Sequence, residues 1–142
     1  MTTEQLYQLV LDRSRSLPEG SSTTRLFQAG QGAMLEKLVE ETYETGLALE
    51  TQGAGELALE VSQCLYYLTC LLVCCKLDEK ILQAVVVGDV QGDRHDLAKQ
   101  LMRSAARLCQ VQDAAGMREH ATLLGVALRL GGATMDMMQE KL

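Results

Sequence analysis

The chain has 142 residues, 47% of them apolar, which suits one domain with a real hydrophobic core. Its 19 acidic and 13 basic residues give a net charge of −6 at pH 7. This charge argues against a protein that binds the nucleic-acid backbone, because such a protein shows a basic stripe.

The amino-terminal residues and the cysteines bear on location. The Met-Thr-Thr-Glu-Gln start has no basic segment followed by an apolar run, so no signal peptide is predicted. The longest apolar run, 64–75, falls short of the roughly 20 residues that span a bilayer. The five cysteines show neither zinc spacing nor a C-x-x-C pair, which favours core packing in a reducing compartment. We therefore expect a cytoplasmic protein without a membrane segment.

The first two predicted helices are short. Thr2 or Thr3 can cap the first, which ends near Ser16 because a proline follows two residues later. The second begins in the Ser/Thr run at 21–24 and ends at Gly30, which is well placed as a left-handed terminator.

Two long helices follow, at about 33–51 and 56–76, joined by a turn at Gly53 and Gly55. The second is apolar nearly all round over 64–75, and a helix without a polar face is buried on all sides. We expect a second copy of the chain to complete this cover in a homodimer or higher homo-oligomer. The alternative is that helices from the carboxyl-terminal part of the same chain cover it.

The remainder of the chain is also predicted to be helical. Asp78 can cap a short helix at 79–87, and Gly88–Gly92 is interpreted as a linker between domains 1–88 and 89–142. Apolar residues recur at helical spacing over 97–108 and 117–128, and a last short helix carries three methionines. The fold class is therefore an all-α helical bundle with extra carboxyl-terminal helices. We interpret the two histidines, His95 and His120, as polar surface residues.

Acidic residues form one stripe on the first long helix. At about 100° per residue, Lys37, Glu40, Glu41 and Glu44 lie within roughly a quarter turn of one another. Like charges four residues apart repel by a few tenths of a kcal/mol, roughly, so the stripe favours a cation. That cation is Lys37 itself, a solvent counterion or a hard metal such as Mg2+, which prefers carboxylate oxygen.

The second long helix decides between a surface stripe and a site. A glutamate stripe opposite a leucine stripe is typical of an ordinary surface helix. However, Glu60, Gln63 and Tyr67 share a face on the helix that is otherwise apolar. A carboxylate at the edge of a buried helix needs a partner or a metal, which favours a functional site.

Three ordered motifs carry a resemblance to a known family. They are Thr23-x-x-Leu26-Phe27-x-x-Gly30, Lys37-x-x-Glu40-Glu41-x-x-Glu44 and Glu60-x-Ser62-x-x-Leu65-Tyr66. Over roughly residues 3 to 86, the chain resembles phosphoribosyl-ATP pyrophosphatase of the all-α nucleoside triphosphate pyrophosphohydrolase superfamily. A single E-x-x-E element is a weak signal, but the ordered set with its intervals is fairly specific.

The resemblance implies a helical bundle, usually completed by a second subunit, that binds Mg2+, with Mn2+ as the alternative, through its acids. It implies cleavage of the α–β phosphoanhydride of phosphoribosyl-ATP to phosphoribosyl-AMP and pyrophosphate, in histidine biosynthesis. Neither a nucleic acid nor a membrane is implied as a partner. The implied metal ligands are Glu41, Glu44, Glu60 and Gln63. The implied catalytic residues are Glu40 and Lys37, and the implied substrate contacts are Thr23, Lys37 and Tyr67.

A second interpretation stays open. Gln63 stands where the family motif ends in Asp, and Tyr67 stands where a His usually follows the tyrosine. These changes favour a non-catalytic or divergent bundle used for assembly or nucleotide sensing. The retained Lys37 and the glutamates favour the enzyme, which is our prediction.

Overall fold

The computed structural model describes residues 1–86 and 92–142, which contain helices and no strand. The all-α prediction is confirmed. In chain order the elements are α1 (Thr3–Ser16), α2 (Ser22–Ala29), α3 (Gln31–Thr51), α4 (Ala54–Cys74), a 3-10 helix (Glu79–Val86), α5 (Arg94–Gln110), α6 (Ala114–Leu130) and α7 (Met135–Lys141).

The caps of the first two helices follow from local sequence. Thr2 and Gln5 form a capping box, in which each side chain accepts a hydrogen bond from the other residue's backbone N–H. Ser21 caps α2 through its hydroxyl. Gly30 ends α2 with a φ of 98°, a conformation that favours glycine. Its ψ of 180° lies outside the left-handed helical region that was predicted.

Both long helices begin two residues earlier than predicted, at Gln31 and Ala54. Gly32 and Gly55 therefore lie inside first helical turns and do not break them. Helix propensity is a weak preference that packing overrides, and α3 and α4 pack against each other as a helical hairpin. α4 ends at Cys74, shortly before Lys76 adopts a positive φ of 57°.

Helix α4 is the centre of the core. Ten of its residues between Val61 and Val73 are at most 9% exposed, so the predicted burial is confirmed. Among the described helices, α4 alone is long and apolar enough to cross a membrane, and 67% of its most apolar window is buried inside the protein. That burial is typical of a core helix.

The cover for α4 comes from the same chain. Helix α4 packs against α1 and α3, which precede it in the chain, and against α6 and α7, which follow it. Helix α5 packs along α3. The alternative prediction, in which carboxyl-terminal helices of the same chain cover α4, is therefore the arrangement found. A homodimer stays a prediction, but the need to cover α4 is no longer an argument for it, because the same chain provides the cover.

Helix α6 packs directly against the 3-10 helix. A Cβ atom on Gly125 of α6 would lie 1.9 Å from the carbonyl oxygen of Val85, so only glycine permits this approach. Arg129 donates from Nη1 to the carbonyls of Val85 and Val86, at 3.3 and 3.4 Å. The predicted short helix is thus a 3-10 helix to Val86, and both its predicted end at 87 and the boundary at 88–89 lie outside the described residues.

The surface interpretation of His120 is wrong. His120 is fully buried, and its Nδ1 and Nε2 share hydrogen bonds with Ser104 Oγ at 2.9 Å and Thr42 Oγ1 at 3.1 Å. Two other helices, α3 and α5, thus supply polar partners that sequence spacing does not reveal. His95 is exposed as predicted, and its Nδ1 lies 2.5 Å from Glu50 Oε1.

The cysteines behave largely as predicted. All five are free, and Cys64 and Cys70 are buried in α4. Burial raises the pKa of each of these two thiols to about 12, so they stay protonated and inert at neutral pH. Cys109, outside α4, is exposed.

Candidate active site

A pair of carboxylates lies where α3 meets α4. The pKa of Glu60 is raised to about 7, and burial is the largest cause. A hydrogen bond from its protonated carboxyl to Glu41, and repulsion from Glu41, Glu44 and Glu56, contribute to the same shift. Glu60 Oε2 is buried and has no hydrogen-bond partner.

A carboxylate oxygen without a hydrogen-bond partner is unfavourable in the protein interior. Two acids this close cannot both be ionised without strong repulsion, so the pair favours either a shared proton or a bound cation. Oxygen-only donors with an unused lone pair suit a hard divalent metal. The chemistry of these donors therefore suits a hard divalent cation such as Mg2+, which is one of the three alternatives that the acidic stripe left open.

The other acids of the stripe are arranged differently. Glu44 is exposed, yet it is close enough to raise the Glu60 pKa. Glu40 pairs with Lys37 at 3.2 Å, and the two side chains are 51% and 49% exposed. Within residues 1–86 and 92–142, no group of three or more His, Cys, Asp or Glu side chains is already arranged to hold a metal. The structure thus assembles the pair Glu41–Glu60 and leaves Glu44 and Glu40 on the open side.

Glu41 also lines a cavity of about 280 Å³, here called the acid cavity. Gln63, Tyr66 and Tyr67 of α4 form its second wall, and Lys141 of α7 lies at its edge. The structure therefore brings the predicted Gln63 and Tyr67 together with Glu41.

A second cavity of about 280 Å³, the basic cavity, adjoins the first. Arg25 of α2 and Lys37 of α3 supply its positive charge. Tyr66 and Tyr67 line both cavities, with their ring centroids 5.0 Å apart in an edge-to-face arrangement. Acidic and basic side chains thus lie on the two sides of a tyrosine wall.

Thr23, a predicted substrate contact, lies behind this wall. It is 1% exposed and lines neither cavity, and its Oγ1 is 2.6 Å from the Tyr66 hydroxyl. Thr23 therefore holds Tyr66 in place, and its connection to the site runs through that ring.

Three site residues were missed in the sequence. Arg25 sits inside the first motif, where its positive charge next to a capped helix start was a usable signal. Tyr66 was noted as part of a motif but given no role. Lys141 gave no local signal, because only the packing of α7 on α4 brings it to the acid cavity.

The family model described as phosphoribosyl-ATP pyrophosphohydrolase matches residues 3–86. This range runs from α1 through the 3-10 helix and includes every acid of the candidate site. The fold and the match thus define an all-α protein of the pyrophosphohydrolase class. The chain belongs to the phosphoribosyl-ATP pyrophosphohydrolase family. Helices α5 to α7 lie outside the match.

Curated relatives have related names. The phosphoribosyl-ATP pyrophosphatase of Haloarcula marismortui is 40% identical over 83 residues, covering 57% of this chain and 85% of the relative. That of Limosilactobacillus fermentum is 43% identical over 70 residues, covering 49% and 66%. The histidine biosynthesis bifunctional protein HisIE of Halalkalibacterium halodurans is 41% identical over 64 residues, covering 45% and 30%. No solved structure matches the chain.

Proposed function

We propose that this protein is a Mg2+-dependent nucleotide pyrophosphohydrolase with phosphoribosyl-ATP as its substrate. It would cleave the bond between the α and β phosphates and release phosphoribosyl-AMP and pyrophosphate, a step of histidine biosynthesis. The observation that carries the proposal is the buried, unpartnered Glu60 Oε2 beside Glu41 in a member of this family. The names of the relatives support the choice of substrate.

The carboxylates of Glu41, Glu60 and Glu44, with the amide oxygen of Gln63, would hold the metal. Bound there, Mg2+ or Mn2+ would neutralise phosphate charge and lower the pKa of water near the reacting phosphate. The donor set fits because each ligand offers oxygen, and because a cation would give Glu60 Oε2 the partner it lacks.

The remaining residues act on the substrate. Arg25 and Lys37 in the basic cavity would bind phosphate oxygens through charge-assisted hydrogen bonds. Tyr66 and Tyr67 offer aromatic surface for the base or ribose on either side. Lys37 is at present paired with Glu40 Oε2. When Lys37 binds a phosphate instead, Glu40 Oε2 becomes free to accept a proton from the attacking water.

The decisive experiment is an assay of pyrophosphate release from a panel of nucleotides, with and without Mg2+. Wild type is expected to act on phosphoribosyl-ATP only when Mg2+ is present. Glu60→Gln should lower the rate by at least roughly 10- to 100-fold, the cost of changing a residue that only supports a metal ligand. Glu36→Gln is the matched control, because Glu36 is an exposed glutamate on α3 that lines neither the acid cavity nor the basic cavity and does not contribute to the raised pKa of Glu60. Equal rates in the two variants would refute the role of the Glu41–Glu60 pair.

A non-catalytic bundle for nucleotide sensing is the second candidate. The neutral Gln63 lies in the acid cavity, where the ammonium of Lys141 already supplies a positive charge at the edge. This candidate predicts that phosphoribosyl-ATP binds without pyrophosphate release at any Mg2+ concentration.

We also propose a cytoplasmic location, which the five free cysteines support. A homodimer remains part of the proposal through the family resemblance. Light scattering at micromolar concentration tests it, because a species of 15.6 kDa alone would rule the dimer out.

A further inference from the structure

A third cavity, of about 350 Å³, lies between α3 and α5 and is here called the α3–α5 cavity. Its floor is apolar and includes Leu47, Ala98 and Met102. Gly46 lets the helices approach closely there, because a Cβ atom on it would lie 3.3 Å from Ala98 Cβ. On α3 the cavity lies roughly a third of a turn from the acidic stripe, so it is separate from the candidate active site. Its α5 wall lies outside the family match.

Tyr43 forms an aromatic edge of this cavity. Its side chain is 54% exposed, one of five large apolar side chains with high exposure in the described part of the chain. An exposed tyrosine beside an apolar floor offers a flat surface for a ring, with a hydroxyl that remains in water.

Two cations on α5, Lys99 and Arg103, line the same cavity one turn apart. Both are exposed, and neither takes part in an ion pair within the described ranges. The next basic residue along α5, Arg107, is by contrast paired with Glu119 at 3.2 Å. At the other end of the cavity, Glu50 is occupied by His95. The available charge is therefore positive.

We propose that the α3–α5 cavity binds a small organic anion that carries a flat aromatic ring. The ring lies on the apolar floor against Tyr43, and the anionic group accepts hydrogen bonds from Lys99 and Arg103. The cavity volume falls in the range of small-molecule sites, roughly 300 to 1,000 Å³. Charge-assisted bonds to an anion are about twice as strong as neutral ones, so the two cations select for charge. The net positive lining disfavours a metal ion.

The test uses 1-anilinonaphthalene-8-sulfonate, an aromatic sulfonate whose fluorescence rises on transfer to an apolar site. The protein has no tryptophan, so its own emission interferes little. Wild type should give saturable binding at one site. Arg103→Ala should weaken this binding roughly tenfold, the effect of losing one charged hydrogen bond. Tyr43→Ala should weaken it as well.

Arg118→Ala is the matched control. Arg118 is an exposed arginine on α6 that does not line the cavity, and its removal changes the net charge equally. The proposal is overturned if wild type shows no saturable binding, or if Arg103→Ala and Arg118→Ala bind the probe equally. It is also overturned if Arg103→Ala changes the molar mass by light scattering and leaves the probe affinity intact, because the cavity is then an interface between copies.

Discussion

Thr42 of α3 shares a buried hydrogen bond of 3.1 Å with Nε2 of His120 on α6. Thr42 directly follows Glu41, and one turn later Thr45 donates its hydroxyl to the Glu41 carbonyl at 2.8 Å. Both threonines also contact the Cys64 thiol, at 3.8 and 3.2 Å. A buried polar network therefore lies behind the carboxylate pair and ties α3 to a helix outside the family match.

His120 makes the stability of the fold dependent on pH. Burial lowers its pKa from 6.5 to about 4, so the unfolded chain binds a proton more readily than the folded one. The stabilisation is complete above pH 6.5 and is lost as pH falls towards 4, by about 3 kcal/mol. Replacing His120 with Gln should remove this loss. Urea unfolding at pH 7.5 and 4.5 measures it.

The control for this prediction is Thr69→Ser, since Thr69 is a buried polar residue whose side chain does not titrate. Its stability should fall between the two pH values as much as that of wild type. If His120→Gln falls by the same amount too, burial of His120 has no energetic effect.

Glu60 should make Mg2+ binding depend on pH. Its pKa is raised to about 7, so a proton competes with the metal below neutrality. The apparent Mg2+ affinity should be about tenfold weaker at pH 6 than at pH 8, as the ionised fraction changes. Isothermal titration calorimetry at both values measures it. The same affinity at both would mean that Glu60 is not a ligand.

The raised pKa of Glu60 also makes the stability of the metal-free protein depend on pH. This dependence has the opposite sign from that of His120. The contribution of Glu60 is fully present below pH 4.5, its unfolded value, and is lost as pH rises through about 7. Glu60→Gln should therefore be more stable than wild type at pH 8 in the absence of Mg2+. A less stable variant in a thermal melt at that pH would contradict this.

Gln63→Asp should strengthen the proposed metal site. The amide oxygen of Gln63 in wild type can reach a cation, but the amide is neutral. Mg2+ depends on carboxylate charge for affinity. We expect weak binding and slow turnover in wild type and an improvement of both in the variant, by roughly 10- to 100-fold on the analogy of changes to the residues that support metal ligands. Calorimetry with Mg2+ and the pyrophosphate assay decide this. No change in either, with an intact fold, would place Gln63 outside the metal site.

Gly125→Ala should destabilise the fold strongly. The added methyl group would collide with the Val85 backbone, which cannot move aside as a flexible side chain can. Overpacking of this kind costs typically about 1 to 3 kcal/mol or more. The midpoint of thermal unfolding measures it. Gly55→Ala is the control, because a Cβ atom there meets nothing within 4 Å.

Sequence was enough for the helices and the acidic stripe because both depend on local rules. Capping side chains such as Thr2 and Ser21, and apolar spacing along α4, act within a few residues. The face shared by Glu41 and Glu44 follows from helix geometry alone.

The features that were missed depend on contacts between distant segments. The burial of His120 needs partners on α3 and α5, and Lys141 reaches Glu41 only because α7 packs on α4. The source of the cover for α4 was equally undecided, since an apolar helix looks the same whether its own chain or a second copy encloses it.

The enclosure of α4 by helices from both ends of the chain limits how this protein can be divided or recombined. Shortening a side chain on the α6-facing side of α4 would leave a cavity bordered by residues beyond the family-matched region. The carboxyl-terminal helices thus share one hydrophobic core with that region. A transplant of the acidic site into another scaffold would have to carry residues 92–142 along, or provide equivalent surface from a second polypeptide.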